Sequence, residues 1–155
     1  MMSSPTTYYE WSQLIDRLST GEEDEEVLGL MRSGSLEWSK GVSSRFVRML
    51  TDTVDDRMNA ALDKLKAMIN NGDPNGLLEG ISATRRELSF LKDVVSIDAI
   101  PNDTRSVLVD HVVDFSKQIQ SSLESSAKAD KTGKLMSVLS NNPLTISASS
   151  DEAVQ

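Results

Sequence analysis

With 155 residues, 38% of them hydrophobic and 26% charged, the chain can bury one core without disulfides or metal, and its composition excludes global disorder. A net charge of -8 counts against binding nucleic acid, because affinity for phosphate backbones comes from Lys and Arg displacing counterions. The lack of cysteine removes disulfides, thiolate zinc sites and cysteine nucleophiles, and it suits a cytoplasmic location.

Residues 1–11 have neither the basic start nor the apolar stretch of a secretory signal. Tyr8, Trp11, Leu14, Ile15 and Leu18 share one helical face and predict a first helix over 7–18. Thr20 with Glu23 has the spacing of a capping box, so a second short helix should follow and end near Gly34, with Val27, Leu28, Leu30 and Met31 available for burial. Val42, Phe46, Met49, Leu50, Val54, Met58, Ala61, Leu62, Leu65, Met68 and Ile69 recur at threes and fours and predict one rod ending at Asn70. From Val42 that rod is ~42 Å long at ~1.5 Å per residue, so it needs cover along its whole length. Asn71-Gly72 can form a left-handed cap, after which Asp73 and Pro74 start the next helix. That helix carries the seam Leu77, Ile81, Thr84, Leu88, Leu91 and Val95.

Pro101 marks a second corner, with Ile97 and Ile100 plugging the bundle end. The stripe Leu108, Val112, Phe115, Ile119, Leu123 and Ser126 then predicts a helix reaching about Ala129. A short last helix follows Gly133 and stops at Asn141-Asn142-Pro143. The fold expected is an all-α up-down bundle of three long antiparallel helices, at about 38–70, 74–95 and 102–129, with short helices before and after them. It forms one domain over 1–142, followed by a flexible tail over 143–155. No apolar run approaches the ~20 residues of a membrane span.

Chemistry is sparse. Glu22, Glu23 and Glu26, in the run 22–26, are the candidate metal ligands, and magnesium is the metal such carboxylates attract. Their spacing resembles the first half of the motif of helical nucleotide pyrophosphohydrolases. The second half, a glutamate with an aspartate three residues on, is missing: Glu37 is followed by Lys40, Glu79 by Ser82 and Glu87 by Phe90. The bland account of the run is a solvated, acidic helix start.

His111 is the one histidine and raises phosphotransfer as a reading. Asp114, three residues on, would repel the phosphoryl group where such domains carry Lys or Arg. No phosphate loop, dinucleotide fingerprint, calcium loop or serine elbow occurs, so no cofactor is expected. Trp11 and Trp38, as aromatic anchors, and the Arg85-Arg86 pair are the interaction candidates. The expectation is a noncatalytic protein that binds another protein, a basic one by charge, and that can pair as a homodimer. A metal-dependent hydrolase using 22–26 is the alternative, and histidine phosphotransfer the second alternative.

Overall fold

The computed structural model describes residues 3–144 and 146, and those residues are all-α with no strand. The helices are α1 (Tyr8–Thr20), α2 (Asp24–Arg32), α3 (Lys40–Asn70), α4 (Pro74–Val95), α5 (Asn102–Ala127) and α6 (Lys134–Asn141). Among the described residues no helix is long and apolar enough to cross a membrane. The chain groups into two compact units, each containing a stretch of all three long helices, the first with α1 and α2 and the second with α6.

The first unit comprises the residues up to Arg57 together with Leu91–Val109. Helix α1 begins with a true capping box: the Thr7 hydroxyl accepts from the Glu10 amide while the Glu10 carboxylate reaches back to Thr7. The box expected at Thr20 and Glu23 does not form. Thr20 belongs to the last turn of α1, where its hydroxyl donates to the Arg17 carbonyl, and Glu23 makes no side-chain cap. Gly21, at φ 71°, then ends α1 in the left-handed conformation. Trp11, Leu14, Ile15 and Leu18 are buried, as are Val27, Leu28 and Met31 of α2. They supply the cover that the front of α3 requires, and Phe46 meets Trp11 edge to face at 5.6 Å. Ile97 and Ile100 at the α4–α5 corner are buried as expected.

The second unit comprises Met58–Phe90 and the residues from Asp110 on. The α3–α4 corner closes as a Schellman motif, with the Asp73 amide donating to the Met68 carbonyl and the Gly72 amide to that of Ile69. Asp73 then caps α4 by accepting from the Gly76 amide at 2.9 Å. The antiparallel return is tight: a Cβ on Gly80 would sit 2.8 Å from the side chains of both Leu65 and Met68. Glycine is what lets the helices approach there. Leu77, Ile81, Thr84 and Leu88 form the buried face of α4 in this unit. On α5 the seam departs from expectation, since Ser116 is fully buried while Phe115 is half-buried. Asp130 starts α6 by accepting from the Leu135 amide and from the Thr132 amide and hydroxyl.

Three residues of the expected tail, Pro143, Leu144 and Ile146, are among the described ones. Leu144 is fully buried and Pro143 and Ile146 are hydrogen-bonded, while the rest of the expected tail, 145 and 147–155, lies outside the described residues.

Candidate functional site

The acidic run does not converge on a metal position. Arg17, on α1, binds Glu23 at 2.9 Å and Glu26 at 3.3 Å, which ties two of the three candidate ligands to a cation of the same unit. Asp24 is held more firmly, because both its oxygens accept from Arg57 at 2.8 and 2.7 Å. The same guanidinium donates to the Leu18 carbonyl at 3.1 Å, satisfying the C-terminal end of α1. Only 11% of the Arg57 side chain is exposed, so this bidentate pair is shielded from solvent and stiffer than the exposed Arg17 contacts. Glu22 and Glu25 are exposed. Among the described residues, no three His, Cys, Asp or Glu side chains gather closely enough to hold a metal ion.

The two tryptophans flank one phenylalanine. Trp38 meets Phe46 at 5.1 Å, and Phe46 in turn meets Trp11. Trp11 is wholly buried and donates its indole N–H to the Ser35 carbonyl at 2.9 Å, so it offers no surface to a partner. Its ring also lies where a Cβ on Gly34 would fall, with Pro5 on the same spot. Trp38 is half-buried and donates to the Ala99 carbonyl at 2.7 Å, sealing the corner that Ile97 and Ile100 plug.

His111 is half-buried and faces Phe115 edge to face at 6.4 Å. Two open surface pockets of about 460 and 340 Å³ lie beside Lys134 and beside Asp130, and His111 lines neither. Arg86 is exposed. Arg85 is exposed as well, but its guanidinium donates from Nε and Nη2 to the Pro143 carbonyl at 3.0 and 2.5 Å.

That contact leads to residues the sequence did not single out. On α5, the Gln120 side-chain carbonyl accepts from the Leu144 amide at 2.9 Å, and the Ser116 hydroxyl accepts from the Ile146 amide at 3.3 Å. Ser116 also donates to the Val113 carbonyl at 2.6 Å, and Gln120 donates to the Leu139 carbonyl at 3.5 Å. A buried serine in an apolar seam was the one available signal, masked by the larger Phe115 beside it. Arg85, Gln120 and Ser116 thus hold main-chain groups of Pro143, Leu144 and Ile146, and these three side chains form no pair of nucleophile and base. Compared with known protein families, curated proteins and solved structures, the chain matches none.

Proposed function

We propose that this is a noncatalytic, cytoplasmic helical protein that acts by binding another protein, as an adaptor, inhibitor, immunity-type factor or chaperone. The observation that carries the reading is how the reactive groups are used. Glu23, Glu26, Asp24, Arg57 and Arg85 are bound to groups of their own unit, and Trp11 is core. Side chains committed in this way stabilise a scaffold, while the net charge of -8 favours a basic partner by complementarity.

The immobilised full chain should retain one protein in stoichiometric amount from its native extract. Retention should weaken in the Glu22→Lys/Glu25→Lys variant, whose melting temperature should match wild type because both residues are exposed. Failure to retain any protein would overturn the reading. So would a rise in melting temperature with magnesium that Glu23→Gln abolishes, since a ligand bound only by the folded state must stabilise it.

A further inference from the structure

We infer that Asn71 is a site of self-modification, at which the Gly72 nitrogen displaces the side-chain amide and remodels the α3–α4 corner. The inference is independent of the protein-binding reading. The corner holds two Asn-Gly pairs, Asn71-Gly72 and Asn75-Gly76. Glycine after asparagine favours the reaction, because no Cβ hinders the approach of its nitrogen and its backbone turns freely. As sequence the two pairs are equal, and the fold separates them.

The chemistry needs only water and hydroxide. Hydroxide takes the Gly72 amide proton, the nitrogen bonds to the Asn71 Cγ, and the Cγ–Nδ2 bond breaks, the leaving nitrogen departing as ammonia after taking a proton from water. Water then opens the five-membered imide ring at one of its two carbonyls. Opening at Cγ gives aspartate. Opening at the main-chain carbonyl gives isoaspartate, whose backbone runs through the side chain and is longer by one methylene.

Asn71 and Gly72 are exposed and lie between the last residue of α3 and the first of α4. Gly72 has φ 64° and open space where a Cβ would sit, and its amide donates to a neutral acceptor, the Ile69 carbonyl, at 3.0 Å. Helix ends of this kind open locally. Both residues also line the open surface pocket of about 340 Å³, so water reaches the ring. Asp130, the charged group in that pocket, accepts from the Thr132 and Leu135 amides.

Asn75 is held back. It lies inside the first turn of α4, and ring closure requires the main chain to leave helical torsions. The Gly76 amide donates to the Asp73 carboxylate at 2.9 Å, so its nitrogen would have to lose a proton beside a negative charge. That carboxylate also covers the place where a Cβ on Gly76 would sit. At Asn71 the product alters the corner, because the Schellman closure spans a fixed count of backbone atoms that an added methylene breaks. Either product puts a carboxylate at the C-terminal end of α3, where the macrodipole disfavours negative charge.

The test incubates full-length protein at mildly alkaline pH in heavy-oxygen water, native and in urea. Peptide mapping with electron-transfer fragmentation separates the two sites and tells isoaspartate from aspartate. In the native chain Asn71 should convert ~10-fold faster than Asn75, the margin of a charge-assisted bond over a neutral one, and in urea the two rates should converge. Asp73→Ser keeps a capping oxygen without the charge and should raise the Asn75 rate several-fold. Equal native rates, Asn75 ahead of Asn71, the same ratio in urea, or an Asn71 that stays intact while the unfolded chain converts would each overturn the inference. An Asn75 rate unchanged in folded Asp73→Ser would do so too; if that variant does not fold, the wild-type rates decide. Hydrogen exchange of the Asp73 amide should be faster in the isoaspartate form, and equal protection would overturn the remodelling.

Discussion

The two units close their cores by different means. The first adds locks of side chain on side chain to its bonds with main-chain carbonyls: Trp11 and Trp38 each meet Phe46 edge to face, and Arg57 grips Asp24 through two hydrogen bonds. The second is closed side chain to main chain, by Arg85, Gln120 and Ser116 on a segment with one buried anchor. A lock of the first kind accepts few substitutes, because each ring fits a shape. One of the second kind reads main-chain groups, so it depends less on the shape of any one side chain.

The largest effect should come from Trp11→Ala, which empties one flank of the aromatic lock and frees the Ser35 carbonyl. A loss of ~3 to 5 kcal/mol in urea unfolding is expected for such a truncation. A cost under ~1 kcal/mol would mean that the rings are not the lock.

Leu144→Ala should cost less, about 2 kcal/mol, the low end for a buried leucine, because Leu144 lies beyond the last helix, where the chain can shift to fill the space left. A loss equal to that of Trp11→Ala would erase the contrast between the units.

The smallest effect is electrostatic. The Glu10 carboxyl is held below its ordinary range by the Thr6 amide, the Thr7 and Thr6 hydroxyls and the Thr7 amide. Asp130 in the second unit is held low by the Leu135 amide first and the Thr132 hydroxyl next. A carboxyl with a lowered folded-state pKa contributes stability that is present above its unfolded pKa and lost as pH falls through the folded one. Thr7→Ala, which removes an N-cap, should cost ~1 kcal/mol at neutral pH. The gap to wild type should shrink as the solution is acidified below the ordinary glutamate range, in chemical unfolding repeated at each pH. A gap that widens on acidification would contradict the assigned donors.

The long helices were legible because strong stops bracket strong stripes. Asn71-Gly72-Asp73-Pro74 forms the expected left-handed cap and helix start, the cap as a Schellman motif, and α4 runs from Pro74 to Val95 as its seam implied. What escaped the sequence escaped for local reasons. Thr7 with Glu10 and Thr20 with Glu23 are equal as spacing, but a cap needs an extended residue outside the helix. Thr7 has φ -117° and ψ 157°, whereas Thr20 is inside α1. On α5, steps of three and of four from Val112 lead to Phe115 and to Ser116 respectively, and hydrophobicity alone chose Phe115. The packing after α6 was invisible because Leu144 and Ile146 stand among small polar residues with no period to announce them.

The placement of the rings has an optical corollary. Trp11 and Trp38 are the chain's two tryptophans, and both belong to the first unit. Indole emission therefore reports privately on that unit, while the second is dark at the same wavelengths and visible only through its helical ellipticity.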